Sequence, residues 1–493
     1  MAIHLTRRAL LAGAGAALAG RALHASGAAW TSGSNPTVLE NDRPGTRVWE
    51  LANRARDREI EGYASATSAA AGESLSLFVS TRDPRYRVEI YRLGWYRGDG
   101  ARLVAPAVER DGFVQQTPAI DPATGLVECR WSDPLAVTIG DPESWPSGIY
   151  VAKLTALASG KEAHVPFTVR DDERSSAFLV QSSVTTWQAY NDWGGKSLYA
   201  GSPQARIVSF DRPYASGSGA GDLFRWEYNM VRFLEREGYD VAYCTNLDVH
   251  EGRARLDRAR AFLSVGHDEY WSWEMRARVE AARDAGVGLG FFSGNNCYWQ
   301  ARFAPSAGGA PFRRMISYKE AALQEDPYAL DGNPSNDHLV TTQWRSAPVS
   351  RPEDALIGVM YQSGYWGIDA DIVIANENHW ACAGTGLKNG DHLPGLLGYE
   401  VDRISGNAPA TLELLARSPF EKAGVTHYSD MVSYQAPSGA TVFATGSIQW
   451  SWGLDDWAPS TGSRINAAAQ QITRNVLGRL TYVERSRRRV DRR

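Results

Sequence analysis

Short segments in which apolar and polar residues alternate occupy the chain between residues 59 and 171. Examples are Leu75–Ser80, Arg87–Arg92, Ile149–Leu154 and His164–Val169, with turn residues between them. A period of two places one face of a strand against a core and the other toward solvent. Several such strands predict an all-β sandwich that serves as a support or lid for the rest of the chain.

A different pattern runs through residues 172–484, where nearly continuous apolar runs alternate with segments of helical spacing. The runs Ala261–Val265 and Val287–Phe292 predict buried strands, and residues 223–237 and 272–285 predict helices. Buried strands that alternate with helices are typical of a parallel sheet covered by helices on both faces. We therefore expect a doubly wound α/β domain here.

The N-terminus has the pattern of an export signal. Arg7 and Arg8 precede a stretch rich in alanine, glycine and leucine that ends near Gly20, and small residues follow. This order is typical of a signal peptide, and the paired arginines favour the twin-arginine (Tat) route. We expect residues 1–29 to be a Tat signal and the protein to be periplasmic or extracellular. The alternative is an amphipathic helix packed on the domain; the stretch is too short to span a membrane.

The net charge and the distribution of basic residues indicate which kinds of partner to expect. The formal net charge is −4, and the body of the chain has no basic stripe, so nucleic acid is not an expected partner. Residues 485–493 form a basic tail that we expect to be a solvated terminus. Residues 30–58, which begin with a stretch rich in glycine, serine, asparagine and proline, are predicted to be a linker.

Cysteine and aromatic residues leave two questions open. The chain has 4 Cys at irregular spacing, which fits neither a zinc motif nor a disulfide-dense scaffold, and their disulfide state cannot be assigned. The 17 Trp and 21 Tyr are explained either by core packing or by an aromatic-lined pocket that supplies phenol ligands.

Three polar segments follow predicted strands, and the carboxyl ends of parallel strands meet at one edge of a sheet. They are Gly266–Trp271, Ser293–Trp299 and Trp187–Lys196. The first contains His267, Asp268 and Glu269, three titratable side chains that are costly to bury unless they are paired, protonated or bound to metal. Such convergence favours a functional site.

Each of these residues also has a purely structural explanation. Asp268 or Glu269 can cap the helix predicted over 272–285, and Asn295 can serve a turn rather than donate to an oxyanion. Cys297 suggests a nucleophile, but the chain has no G-x-C-x-G or G-x-S-x-G elbow, which favours a buried structural cysteine.

Five motifs together give the chain a family resemblance. The motifs are Tyr91–Tyr96, Gln188–Asn191, Gly266–Trp271, Ser293–Asn296 and Gly398–Glu400. Through them the sequence resembles the C-terminal catalytic domain of the N,N-dimethylformamidase large subunit over about residues 60 to 480. The resemblance implies an N-terminal immunoglobulin-like β-sandwich (59–171) and a doubly wound, glutamine-amidotransferase-like α/β domain with a mainly parallel sheet (172–484).

The resemblance also implies a metal site. The family enzyme holds one iron through two tyrosinates and one glutamate. By motif, the glutamate is Glu269 and one tyrosinate is Tyr190; the second, assigned by spacing and a short motif, is Tyr150. The other active-site groups of the family correspond to His267, Asn295 and Glu400.

The implied chemistry is consistent with these residue types. Two phenolates and a carboxylate suit a hard cation such as ferric iron, which can polarise an amide oxygen and lower the pKa of a bound water. Glu400 is then the candidate general base. His267 orients or protonates the substrate, and Asn295 holds the oxyanion.

The expected function is iron-dependent hydrolysis of a non-peptide C–N bond in a small amide. The alternatives are an exported binding module that uses an aromatic cleft for a carbohydrate or polymer, and an amidotransferase-like enzyme that uses Cys297. Tat export and the absence of the long N-terminal extension of the family's large subunit leave the substrate open. The sequence also does not decide whether the protein forms a homo-oligomer or associates with an unidentified small subunit.

Overall fold

The structure, a computed structural model, describes residues 35–457 and 463–482. The predicted Tat signal (1–29) and the basic tail (485–493) lie outside these residues. The segment predicted to be a linker contains a helix, α1 (Pro36–Asn41), and Trp49, which is 1 % exposed. Within the two described ranges, no helix is both long and apolar enough to cross a membrane.

Two β-sheets form the first part of the chain. One has the strand order β1-β3-β7, and the other has the order β2-β9-β8-β4-β5 with β6 paired to β4. Side chains from both sheets, Leu77 and Val88 among them, share one buried apolar core. The strands are β1 (Ile60–Ala64), β2 (Ser68–Ala70), β3 (Ser74–Thr81), β4 (Arg85–Leu93), β5 (Ala101–Leu103), β6 (Val108–Asp111), β7 (Leu135–Thr138), β8 (Gly148–Ala156) and β9 (Glu162–Arg170).

A seven-stranded sheet with the order β12-β10-β13-β15-β22-β21-β20 forms the centre of the second part. Neighbours from β12 to β22 pair in parallel, whereas β21 and β20 are antiparallel. The strands of this part are β10 (Ser176–Ser182), β11 (Ile207–Ser209), β12 (Val241–Thr245), β13 (Ala259–His267), β14 (Tyr270–Ser272), β15 (Gly288–Gly294), β16 (Trp299–Ala304), β17 (Arg314–Ile316), β18 (Met360–Val373), β19 (His392–Arg403), β20 (Glu413–Lys422), β21 (Val425–Gln435) and β22 (Thr441–Ala444).

Helices and smaller sheets surround the seven-stranded sheet. Strands β11, β17, β16 and β14 form a four-stranded sheet, and β18 and β19 form a long antiparallel hairpin. The α-helices are α2 (Val184–Tyr190), α3 (Tyr228–Arg236), α4 (Asn246–Glu251), α5 (Trp273–Asp284), α6 (Ala322–Glu325), α7 (Pro327–Leu330), α8 (Asp354–Ile357) and α9 (Ala467–Leu480). The chain is therefore a mixed α/β protein with several sheets, as the two patterns of the sequence predict.

A buried ion pair joins the β-sheet part to the α/β part. The Arg92 guanidinium of β4 donates to both carboxylate oxygens of Glu235 on α3, at 2.9 and 2.8 Å. Tyr243 and Asn41 also donate to Glu235, at 2.9 and 2.8 Å. The two charged side chains are 1 % and 0 % exposed, so removal of one partner would leave the other charge buried without compensation.

We expect Glu235→Leu to lower the free energy of unfolding by about 3–5 kcal/mol, the cost of an uncompensated buried charge. The matched control is Asp57→Ala, which removes the 3.1 Å pair between two exposed side chains, Arg82 and Asp57, and should cost about 0–1 kcal/mol. Urea unfolding followed by tryptophan fluorescence measures both values. Equal effects of the two substitutions would contradict a specific role for the buried pair.

His164 on β9 predicts a pH dependence of stability. Burial lowers its pKa from 6.5 to about 4, although its Nε2 lies 2.9 Å from the Trp49 carbonyl oxygen. Because the folded state disfavours the imidazolium, this contribution to stability is complete above pH 6.5 and is lost as the pH falls toward 4. With about 1.4 kcal/mol per pKa unit, the loss is about 3 kcal/mol. Urea unfolding at several pH values between 7 and 4 gives the free energy of unfolding as a function of pH. This free energy should fall less steeply with decreasing pH for His164→Gln than for the unmodified protein. Equal pH dependence of the two proteins would refute the assignment.

Candidate functional site

The parallel strands bring three polar segments to one edge of the seven-stranded sheet. Strand β10 leads into α2, which ends at Tyr190; β13 leads into Asp268 and Glu269; and β15 leads into Asn295. In the register of β13 and β15, His267 lies opposite Gly294. The side chains that follow these strands therefore meet at the carboxyl edge of the sheet, where open α/β sheets bind ligands.

Three oxygen-bearing side chains converge there: Tyr190, Tyr199 and Glu269. The rings of Tyr190 and Tyr199 stack with centroids 4.2 Å apart. The Tyr199 hydroxyl donates to Oε1 of Glu269 at 2.6 Å and accepts from the Tyr270 hydroxyl at 2.8 Å. Glu269 is 1 % exposed, and its backbone N–H donates to the Thr186 hydroxyl at 2.8 Å. The sequence therefore supplies two phenols beside one buried carboxylate.

The surroundings fix the charge of these groups. Burial and the charge of Glu269 raise the pKa of both Tyr190 and Tyr199 well above 10. Burial alone would raise the pKa of Glu269, but His267, Tyr199 and Lys319 outweigh it and lower that pKa. The phenols therefore keep their protons at neutral pH. A cation bound by their oxygens would have to displace these protons, because metal ligands bind in the deprotonated form.

Lys319 adds a positive charge against the phenols. Its ammonium lies 3.6 Å from the ring centroid of Tyr199 and donates to the Leu198 carbonyl oxygen at 2.9 Å. The side chain is 4 % exposed, and burial lowers its pKa. A buried ammonium on the face of an aromatic ring is a cation–π contact that favours electron density in that ring.

An imidazole between two carboxylates lies beside the oxygen cluster. Nε2 of His267 is 3.1 Å from Oε2 of Glu400 and 3.4 Å from Oε2 of Glu269. Burial lowers the pKa of His267, but these two carboxylates outweigh it and raise the pKa to about 10. His267 is therefore a cation at neutral pH, and its ring also lies 5.3 Å from that of Tyr190.

Asn295 connects Glu400 to a second buried carboxylate. Its side-chain amide donates to Oε2 of Glu400 at 2.7 Å, and its backbone N–H donates to Oδ1 of Asp402 at 2.8 Å. Asn295 has φ of 50°, in the left-handed region that asparagine tolerates better than most residues. Burial raises the pKa of Asp402 to about 7. The strained turn after β15 therefore holds the amide against Glu400 on β19.

The helix-cap explanation for Asp268 and Glu269 is wrong. The cap of α5 is Ser272, whose hydroxyl accepts from the Met275 N–H at 3.2 Å. Asp268 points elsewhere: its carboxylate accepts from the side chains of Gln181, Ser264 and Asn246, at 2.7, 2.8 and 2.9 Å. Asp268 thus ties together the strands beneath the site, while Glu269 faces the phenols.

Tyr150, chosen from the sequence as a metal ligand, is not part of this set. It lies on β8 in the apolar core between the two β-sheets, stacked between Trp145 and Phe167 at 5.4 and 5.5 Å. Its hydroxyl donates to the Pro146 carbonyl oxygen at 2.7 Å. Spacing along the chain could not detect that the β8 pleat turns this side chain into the sandwich core. Tyr199 occupies the position expected for a second phenol.

Cys297 is a buried side chain rather than an exposed nucleophile. It is 0 % exposed and packs in the apolar cluster beneath the sheet, and burial raises the pKa of its thiol. A thiol that resists ionisation is a poor nucleophile. The structural explanation of this cysteine is therefore favoured over catalysis.

The donor set fits a hard cation. Oε2 of Glu269 and Oδ1 of Asn295 are buried but make no hydrogen bond to the described residues. In residues 35–457 and 463–482, no group of three or more His, Cys, Asp and Glu side chains is arranged to hold a metal ion. Phenol oxygens fall outside that group of residue types, and two phenols with a carboxylate are the oxygen ligands that a hard cation prefers.

The structure thus brings together Tyr190, His267, Glu269, Asn295 and Glu400, five of the six residues predicted from the sequence. Sequence reasoning missed Tyr199, Lys319 and Asp402. Tyr199 carried a usable signal, because it lies nine residues after Tyr190 in the same polar-aromatic segment. Lys319 and Asp402 are brought to the site only by the fold.

Comparison with protein families identifies a match that covers most of the chain. Residues 87–465 match the family described as N,N-dimethylformamidase beta subunit-like, C-terminal. The matched region includes every residue of the site. No curated protein sequence matched the chain.

Proposed function

Because the chain belongs to the N,N-dimethylformamidase beta subunit-like family, we propose that it is an iron-dependent hydrolase of a non-peptide C–N bond in an amide. The observation that carries the proposal is the convergence of two phenols and the Glu269 carboxylate beside the His267–Glu400 pair. Family membership by itself supports only a dimethylformamidase-like hydrolase.

The metal part of the proposal assigns Tyr190, Tyr199 and Glu269 as the residues that would hold one iron, with Tyr199 in place of Tyr150. Bound there, ferric iron would supply Lewis acidity toward the amide carbonyl oxygen. The Lys319 ammonium against the Tyr199 ring offsets part of the negative charge of three anionic ligands. Three protein ligands leave coordination positions for small molecules.

The catalytic part assigns proton transfer to Glu400. Its Oε2 accepts from Asn295 and contacts His267, so both neighbours hold the carboxylate in one orientation. Glu400 would take a proton from the attacking water and return it to the departing amine nitrogen as the C–N bond breaks. His267 in its protonated form would stabilise negative charge that develops on the carbonyl oxygen. Asn295 has one amide hydrogen bonded to Glu400, which favours an orienting role.

The remaining parts of the proposal concern the wider molecule. The immunoglobulin-like and glutamine-amidotransferase-like descriptions of the two parts of the fold, and Tat export to the periplasm or beyond, are proposed from the sequence. The family description names a beta subunit, which supports association with a small subunit or with further copies of the chain.

The direct test is to purify the protein from iron-supplemented cells, measure its metal content, and follow amine release from a panel of small amides. We expect iron to bind, to give a visible tyrosinate charge-transfer band, and to be required for amine release. A metal-free, colourless protein that hydrolyses no amide would refute the proposal. That result would favour the hypothesis that the protein is a binding module. Amide hydrolysis that is unchanged after iron removal would refute the metal assignment alone.

A further inference from the structure

A second feature of the fold lies next to the site. A cavity of about 540 Å³ opens between the segment around Trp49, strand β9 and the stretch that precedes α3. Pockets of roughly 300–1,000 Å³ hold drug-sized ligands. A molecule as small as N,N-dimethylformamide, with five heavy atoms, fills little of this space.

One wall of the cavity is built of aromatic rings. Trp49 stacks with Phe224 at 5.4 Å, with Trp457 at 6.0 Å and with His164 at 6.2 Å. Phe224 and Trp457 are 5.2 Å apart and only partly buried, so both present ring surface to the cavity. Such rings offer stacked or edge-to-face contacts to a further ring.

The charged residues that line the cavity balance in number. Three arginines, Arg47, Arg54 and Arg225, stand against three acids, Glu50, Asp222 and Asp456. Arg47 and Glu50 pair with each other at 2.9 Å. The cavity therefore offers polar groups of both signs at its margin and no excess charge that would select a charged ligand.

The inner end of the cavity adjoins the site. Asp222 and Arg225 line the cavity; burial raises the pKa of the Asp222 carboxyl, and the positive charge of His267 opposes that rise. Trp226 packs against Gly266, the residue before His267, so closely that a Cβ at Gly266 would lie 2.6 Å from the Trp226 Cβ. The Arg225 guanidinium lies 5.7 Å from the ring of Tyr399, which precedes Glu400.

From this geometry we infer that the cavity binds an uncharged aromatic ring carried by the substrate, so that the preferred substrates are amides with an aryl or arylalkyl substituent. The inference rests on the proposed amide hydrolysis at the adjacent site. Volume, ring surface and charge balance all favour a neutral aromatic group. Trp226, which follows the cavity-lining Arg225, packs against Gly266, so the end of the cavity at Asp222 and Arg225 is the end nearest His267.

The test compares N-benzylformamide with N,N-dimethylformamide as substrates of the iron-loaded enzyme. We expect kcat/KM to be at least tenfold higher for N-benzylformamide. Phe224→Leu, which removes the ring but keeps an apolar side chain, should lower the ratio of the two kcat/KM values at least fivefold, as should Trp457→Leu. The matched control is Phe113→Leu, an exposed phenylalanine in the β-sheet part of the chain that should leave the ratio unchanged.

A binding measurement separates this inference from the proposed function. Calorimetry with N-benzylformamide on the iron-loaded Glu400→Gln variant should give binding that Phe224→Leu weakens at least fivefold. If neither amide is hydrolysed but this binding persists, the proposed function is refuted. The conclusion that the cavity binds an aromatic ring is then kept. If N,N-dimethylformamide is hydrolysed and N-benzylformamide is neither preferred nor bound, the inference is overturned. Binding of N-acetylglucosamine oligomers through Phe224 and Trp457 in place of N-benzylformamide would also overturn it.

Discussion

Tyr199→Phe is expected to abolish iron binding and the visible absorption of the holoprotein, with activity lost in parallel. The substitution removes one of the two phenol oxygens that converge with the Glu269 carboxylate. It also removes the 2.6 Å hydrogen bond from that phenol to Glu269. Substitutions of residues that only support a ligand already cost about 10–100-fold in metal affinity, so loss of a direct ligand should cost more. Iron content by elemental analysis, and the absorption spectrum of the protein purified under identical conditions, measure the effect.

Tyr150→Phe is the matched control, because it removes the same atom from a tyrosine in the sandwich core. The variant loses one hydrogen bond, to the Pro146 carbonyl oxygen, which is worth about 1 kcal/mol of stability. Its iron content and absorption should equal those of the unmodified protein. If Tyr150→Phe loses the iron and Tyr199→Phe keeps it, the assignment of ligands made from the fold is wrong. Tyr190→Phe should behave as Tyr199→Phe does.

The second large effect is expected for Glu400→Gln, which should lower kcat by about 10²–10⁴-fold while the iron remains bound. Glutamine keeps the size of the side chain and can still contact Asn295, but it cannot accept a proton from water. Glu269→Gln should differ, because it alters a proposed ligand and should reduce iron content as well as activity. Iron content and initial rates of amine release, measured on the same samples, separate the two roles.

An exposed glutamate on β20 supplies the control. Glu421→Gln on β20 changes one carboxylate outside the site and should leave both kcat and iron content unaltered. Should Glu400→Gln retain full kcat, Glu400 is not the general base. Loss of iron from Glu400→Gln would instead make Glu400 part of the metal site.

Much of the α/β part could be predicted from local patterns. The predicted strands Ala261–Val265 and Val287–Phe292 fall within or overlap β13 (Ala259–His267) and β15 (Gly288–Gly294), and the helix predicted over 272–285 is α5 (Trp273–Asp284). These elements are buried on one or both faces, so their apolar residues recur with the period of the element. The helix predicted over 223–237 begins instead with a π-helical turn, Leu223–Glu227, before α3.

Sequence order alone could bring together only the site residues that follow strands, whereas Tyr190 and Glu400 were predicted from the family resemblance. Glu269 lies two residues after β13 and Asn295 directly after β15, and the carboxyl ends of parallel strands share an edge, so sequence order alone brings them close. Tyr150 was assigned by spacing and a short motif, and its side chain lies instead in the core between the two sheets of the β-rich part. A strand directs alternate side chains to opposite faces, and which face is buried depends on sheet packing.

Local sequence patterns were enough to distinguish a β-rich part from an α/β part and to place His267 and Glu269 at a strand end. Both follow from local periodicity, which acts over a few residues. The fold of the whole chain was needed to bring Tyr199 against Glu269 and Lys319 onto the Tyr199 ring. It also decided that an aromatic cavity adjoins the site. These contacts join residues far apart in the chain, and packing of the whole fold fixes them.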